Sequence, residues 1–236
     1  MKTIGLIGGM SWESSAIYYD LINKEVKQIL GGFNSAKCIL NSVNFAEIEF
    51  LQRQGDWNKL NQKMIEAAQQ LENAGADLLI LGTNTMHLCS EEIIKNTSIP
   101  FLHIATATGK NIKSKKLDQV ALLGTKFTME KDFYKKILQE DFGIKVIIPN
   151  ETDRNRIHRI IYDELVLGEI REESKLVMKQ IIKDLQHKGV QGTILGCTEL
   201  PLLITENDVD IPVFNTTEIH AKSAVEMALK EVIIDS

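Results

Sequence analysis

Residues 81–87, LGTNTMH, follow an apolar run and gather hydroxyl and amide side chains without a charge, and residues 195–200, LGCTEL, do the same around a cysteine. A cysteine just after a strand and a glycine can have its pKa lowered from about 8.5 by backbone N–H groups and a helix N-terminus, which makes Cys197 a candidate thiolate base or nucleophile. Thr198 and Glu199 follow it, polar neighbours that suit a loop better than core filler, whereas Cys38 and Cys89 read as buried and inert. Thr83 stands in the first stretch where Cys197 stands in the second. Its hydroxyl does not ionise usefully near neutral pH, but it can donate, accept or position a water. A hydroxyl opposite a thiol suits a site that moves a proton across a planar intermediate with unequal partners. Asn84, Thr85, Thr125, Thr128 and Thr198 add uncharged donors that could hold a carboxylate together with loop N–H groups. Taken singly, each fits a turn or helix cap nearly as well.

The elements that must carry these residues are legible as short runs of Ile, Leu and Val: TIGLIG near Thr3, CILNSV near Cys38, DLLILG near Asp77, QVALLG near Gln119, KVIIP near Lys145 and GTILG near Gly192. Each is bounded by glycine or polar residues, as buried parallel strands are. Between them the spacing turns helical. Ile17, Leu21, Ile22, Val26 and Ile29 or Leu30 mark one face of a helix that stops before Gly31 and Gly32. Leu60, Met64, Ala67, Ala68 and Leu71 mark another over residues 58–74, with Gly75 at its C-terminal end. Alternating strand and helix predicts a parallel α/β fold.

The two halves also resemble each other. IGLIGGMSWESSAIYYDLI from Ile4 parallels VALLGTKFTMEKDFYKKIL from Val120, GADLLILGTNTM from Gly75 parallels GVQGTILGCTEL from Gly189, and IPFLHIA from Ile99 parallels IPVFNTT from Ile211. Three blocks in the same order, at nearly constant offset, point to a duplication. The alignment superposes Gly82 on Gly196, Thr83 on Cys197 and Asn84 on Thr198. Two pseudo-symmetric lobes facing each other would hold those residues on opposite walls of one cleft. Ligands of open parallel sheets sit beyond the carboxyl ends of the strands, where residues 8–14, 82–87, 124–128 and 196–200 fall.

Bulk properties narrow the class. The chain has 236 residues, 44% hydrophobic and 25% charged, enough for one large α/β domain or two small ones. A net charge of −5 provides no basic field for a phosphate backbone, so no nucleic-acid partner is expected, and residues 113–116, KSKK, read as a solvated loop. Three cysteines without paired spacing argue against a disulfide framework and a zinc site, and fit a reducing cytoplasm. The N-terminal apolar run is too short for a signal segment and no run spans a membrane, so no membrane partner is expected. GLIGGMSWES has the wrong spacing for a dinucleotide fingerprint, and no GxxxxGK[ST] lies at the loops. No spacing of His, Asp and Glu makes a metal site. His87 and His220 lie near the matched loops and could serve as acids or bases, although packing suits them better; Trp12 either walls the cleft or covers a sheet edge.

Together GGMSWES, TNTMH, LLGT and GCTE resemble the aspartate/glutamate racemase family, cofactor-independent amino-acid racemases in a superfamily with glutamate, hydantoin and maleate-processing enzymes. The resemblance covers nearly the whole chain, and four motifs in order make it specific. It implies two Rossmann-like lobes with parallel sheets related by a pseudo-twofold axis, an active site in the cleft between them, no cofactor, and commonly a homodimer. It also implies that the chain crosses back, with residues 1–103 and 213–236 in the first lobe and residues 104–212 in the second. Most members carry two cysteines, one removing the α-proton while the other reprotonates the opposite face. GCTE keeps its cysteine as Cys197, while Thr83 replaces the other, as in a branch associated with L-aspartate and L-glutamate. By that resemblance Met10 through its backbone, Gln52, Asn84, Thr85, Thr125, Thr128, Thr198 and Glu199 line the substrate pocket. Dicarboxylate-specific members are expected to aim a cation at the distal carboxylate; YDELVLG around Glu164 offers no lysine, leaving Lys126 or Arg53 to compensate.

The resulting expectation is racemisation of L-aspartate or L-glutamate, with Cys197 as base for the L-enantiomer and Thr83, directly or through a water, returning the proton from the other side. Two other readings fit the same residues: a single-cysteine decarboxylase or cis-trans isomerase of the same superfamily, and a non-catalytic amino-acid-binding relative.

Overall fold

A computed structural model describes residues 1–234. Strand β1 (Ile4–Gly8) is buried along its whole length and lies between β2 (Cys38–Ser42) and β3 (Leu78–Leu81) in a parallel sheet. Side chains alternate across a strand, so Ile4 and Leu6 enter one core and Ile7 the other. Helix α1 (Trp12–Leu30) covers the first face with Tyr18, Ile22 and Val26; Ser11 caps its start by accepting from the Ser14 N–H. The stripe turns further toward Tyr18 than the spacing predicts, and Ile29 is exposed. On the other face lie α2 (Phe45–Gln54), α3 (Trp57–Asn73) and α4 (Ser90–Lys95). In α3 the predicted stripe of Leu60, Met64, Ala67, Ala68 and Leu71 is wholly buried, and each large side chain so covered contributes about 1.5–3 kcal/mol. Gly75, at φ +92°, follows the helix.

Helix α5 (Ile104–Ser114) leads into a second parallel sheet. Its central strand β4 (Gln119–Gly124) is followed by α6 (Lys126–Glu130), α7 (Asp132–Glu140), β5 (Lys145–Ile147), α8 (Glu151–Arg159), α9 (Glu172–Gln186), β6 (Thr193–Gly196), α10 (Leu200–Leu203) and β7 (Val213–Asn215). The order is β5-β4-β6-β7, repeating β2-β1-β3, and Phe101 bridges Leu79 in parallel where β7 pairs with β6. Strand order therefore repeats with the sequence blocks. Ala121, Leu123, Leu195, Met178 and Ile182 share one core; on the other side Tyr134 of α7 donates to Thr108 Oγ1 of α5 at 2.9 Å.

The chain divides into two compact units, Met1–Ile104 with the segment from His220 onward, and Ala105–Ile219. Sequence reasoning ends the second lobe at residue 212, but hydrogen bonding of β7 to β6 carries residues 213–215 into the second unit. Helix α11 (Thr216–Ile234) starts there and returns to the first, where Ala221, Ala224, Val225, Ala228 and Leu229 join Ile4, Leu6 and Tyr18. Residues 113–116 are exposed as expected, but Lys113 and Ser114 belong to the last turn of α5. Among the described residues no helix is long and apolar enough to cross a membrane.

Candidate active site

In the second unit, β4 and β6 run side by side and pair Gly124 with Gly196 at their carboxyl ends. A Cβ on Gly124 would lie 2.7 Å from the Gly196 carbonyl oxygen, closer than a side chain tolerates, so this approach of backbones demands glycine. Cys197 follows at once, 9% exposed and embedded in the core of its unit. Its Sγ donates to Glu199 Oε2 at 2.9 Å, and Thr198 Oγ1 donates to the same oxygen at 2.7 Å. One carboxylate oxygen thus collects both protons of the loop.

This overturns the expected electrostatics of the thiol. The Cys197 pKa is pushed well up, first by burial, then by the Glu199 charge and its hydrogen bond; the N–H groups of Glu199 and Thr198 pull it down by less. Helix α10 is only four residues long and offers little dipole. Cys197 accordingly rests as a thiol beside a proton acceptor. Burial also raises Cys38 to about 11 and Cys89 to about 12, with no charged partner contributing to either shift.

On the neighbouring strand end, Thr125 caps α6 by accepting from the Thr128 N–H at 3.2 Å, and the two hydroxyls lie 3.2 Å apart. Capping thus accounts for part of Thr125. Lys126 opens that helix half-buried, and its charge helps depress the pKa of His158 behind it, after burial. Of the two compensating cations named from sequence, Arg53 is already paired with Glu49 on its own helix, on the surface of the first unit.

In the first unit, Gly9 has φ +86°, and a Cβ there would meet the Val43 carbonyl oxygen at 2.2 Å. Its N–H donates to Ser15 Oγ at 2.7 Å, which turns the chain after β1. Met10 and Gln52 are buried, and Gln52 Nε2 donates toward Met86 Sδ at 3.1 Å. The strand β3 ends at Leu81 and Gly82 follows, its N–H donating to the Ile7 carbonyl at 2.9 Å; Thr83 is half-buried, Asn84 and Thr85 are buried, and a 3-10 turn over Thr85–Cys89 follows. Trp12 is exposed at the start of α1. The predicted residues therefore form two groups, Met10, Gln52, Thr83, Asn84 and Thr85 in the first unit, and Thr125, Thr128, Cys197, Thr198 and Glu199 in the second.

The match to known proteins decides the lineage: residues 7–224 match the Asp/Glu/hydantoin racemase family. The chain belongs to that family. It is 25% identical over 227 residues to the broad specificity amino-acid racemase RacX of Bacillus subtilis (strain 168), covering 96% of this chain and 98% of that one. It is 51% identical to a crystal structure from Yersinia pestis described provisionally as an Asp/Glu racemase, with a TM-score of 0.92 over 97% of this chain and 100% of that one. An aspartate racemase homologue from Pyrococcus horikoshii OT3 is 37% identical, with a TM-score of 0.82 over 97% and 99% of the two chains.

In this racemase-family chain the sequence reading missed one buried group and did not show the partners of another. The Thr217 hydroxyl is buried at the start of α11 with no hydrogen-bond partner among the described residues, just beyond the Leu195–Asn215 register pair. Nothing in the sequence separates it from the adjacent Thr216, which donates to the Leu195 carbonyl at 2.8 Å. The other is His87. Its Nδ1 lies 2.7 Å from the Thr83 carbonyl oxygen, and its Nε2 accepts from the Ile104 N–H at 3.2 Å. The i,i+4 spacing of Thr83 and His87 was the available signal.

Proposed function

We propose that the protein racemises an acidic amino acid, aspartate or glutamate, without a cofactor. One observation carries the reading: in a member of this racemase family, the Cys197 thiol sits 2.9 Å from the Glu199 carboxylate at the end of a buried parallel strand. Glu199 takes the thiol proton. The thiolate so formed removes the α-proton of the L-enantiomer, and its high proton affinity suits it to a weakly acidic C–H. Thr83, directly or through a water it positions, delivers a proton to the opposite face. Asn84, Thr85, Thr125 and Thr128 are assigned to the substrate carboxylates, Gln52 and the Met10 backbone complete the pocket, and Lys126 is the cation for the distal carboxylate.

An alcohol is a poorer base than a thiolate, so proton abstraction from the D-enantiomer is the slower direction. Racemisation still ends at equal amounts, which forces equal kcat/KM in the two directions; the asymmetry shows in kcat, KM and isotope exchange. Proton NMR in D₂O with each enantiomer of aspartate and glutamate tests this. Exchange with inversion, abolished by Cys197→Ser, supports the reading, and Thr83→Cys should speed exchange from the D side. Near-full activity in Cys197→Ser would sink it.

The protonated state of Cys197 also favours a second reading, a decarboxylase in which the thiol protonates an enolate. Product analysis with malonates separates the two.

A further inference from the structure

The structure assigns His87 as the positioning residue for Thr83: its neutral imidazole, fixed in one tautomer, holds the Thr83–Asn84 peptide and so aims the threonine hydroxyl. This rests on the assignment of Thr83 to the proton transfer proposed above.

The hydrogen bonds fix the tautomer. A carbonyl oxygen only accepts, so the contact at 2.7 Å requires the proton on Nδ1; the Ile104 N–H only donates, so Nε2 must be bare. Both contacts are met together by the neutral Nδ1–H form alone. The side chain is wholly buried, and its ring meets Phe101, His103 and His220 edge-on at centroid distances of 5.6, 4.5 and 5.7 Å. His220 is locked in turn, donating from Nε2 to the Leu102 carbonyl at 2.9 Å and accepting from the Tyr18 hydroxyl on Nδ1 at 2.8 Å. The imidazole of His87 therefore has neither a free nitrogen nor room to turn.

Thr83 is held from two directions. Before it, the Gly82 N–H is tied to the Ile7 carbonyl of β1; at its own carbonyl, it is tied to His87. The Gly82 N–H belongs to the Leu81–Gly82 peptide and anchors the approach to Thr83, while the bond to His87 fixes the Thr83–Asn84 plane and so restrains the Cα frame from which the hydroxyl swings about χ1. A proton donor misplaced by about 1 Å costs on the order of a hundredfold in rate, so this bond matters to Thr83 chemistry far more than to Cys197 chemistry. Packing alone sets no requirement for a donor at this position, yet one is present and meets the carbonyl of the residue that aligns with Cys197.

Asparagine and glutamine separate the roles, because the amide of asparagine reaches the place of Nδ1 and that of glutamine the place of Nε2. In His87→Gln, α-proton exchange from the D-enantiomer should fall about tenfold or more while exchange from the L-enantiomer stays within about threefold, and His87→Asn should recover most of the loss. Equal loss from both enantiomers, or no advantage of Asn over Gln, overturns the inference. Long-range nitrogen–proton NMR of histidine-labelled wild type decides it independently of turnover. Protonated Nδ1 with bare Nε2 at neutral pH, and a Thr83 carbonyl signal that moves in His87→Gln but not in His87→Asn, support it. The opposite tautomer, or an unmoved Thr83 signal, overturns it. Wild type that exchanges no α-proton removes the racemase reading, and the NMR result then stands alone for the positioning.

Discussion

Cys197 and Glu199 share a hydrogen bond of 2.9 Å in which the thiol donates. Burial and, after it, the carboxylate restrain the thiol from ionising, and in the proposed reaction the same carboxylate takes its proton. Replacing it by an amide divides these effects. In Glu199→Gln burial still raises the Cys197 pKa but the charge that adds to it is gone, so alkylation of Cys197 by iodoacetamide, followed by peptide mass spectrometry, should set in at lower pH than in wild type. Cys38 and Cys89, raised by burial alone, serve as unshifted references. Alpha-proton exchange should nonetheless fall by about a hundredfold, since the acceptor is lost.

Lys126 opens α6 beside the cap Thr125. If it meets the distal carboxylate, Lys126→Met should raise KM for aspartate or glutamate by about ten- to a hundredfold, the worth of a hydrogen bond to a charged group, and leave kcat within about threefold. Alanine, which has no distal carboxylate, should show no such change. Initial-rate kinetics on the three amino acids check this.

The buried histidines make stability depend on pH. Burial lowers His103 to about 3 and His220 to about 4, and drives His87 down as well, with the charges of His103 and His220 adding to the shift of His87. An unfolded histidine titrates near 6.5, so below that pH the unfolded chain binds more protons than the native one. Stability is then fully present above about pH 6.5 and is lost as pH falls toward the folded values, by up to about 1.4 kcal/mol per pH unit for each histidine. His103→Phe should flatten that slope by one such increment between pH 4 and 6. Urea midpoints across this range measure it.

Gly124→Ala should destabilise the second unit by about 1–3 kcal/mol, because its new methyl carbon has nowhere to go against the Gly196 carbonyl oxygen at 2.7 Å. The strain falls one residue before Cys197. Thermal melts and α-proton exchange should both report it.

Much of the fold was legible in the six apolar runs, because strands β1, β3, β4 and β6 are buried on both faces and have to be continuously hydrophobic. Strands β2 and β5, at sheet edges, are partly exposed rather than buried as the runs predict. The seventh strand was not legible. Val213–Asn215 is three residues after Pro212, too short to show a period, and only its pairing with β6 reveals it. At the candidate site, the loop position of Cys197 could be read from its neighbours. Its proton affinity could not, since that depends on the Glu199 side chain folding back onto the sulfur and on burial in the core. His87 could be read as a candidate acid or base, but its contact could not, for a related reason. Its partner is a backbone carbonyl, which every residue carries, so no residue type in the sequence marks the contact.

Helix α11 supplies Ala221, Ala224, Val225, Ala228 and Leu229 to a core whose other side chains include Ile4, Leu6, Tyr18, Leu78 and Ile80. During synthesis the ribosome delivers the strands and α1 of that core before α11, which supplies its remaining wall. The second unit, continuous in sequence, has every residue of its own by Ile219. The nascent chain must therefore carry an open apolar face on residues 4–80 while residues 105–219, made after them, complete their own unit. Of the two units the first is the later to close, and it leaves a chaperone more time to act.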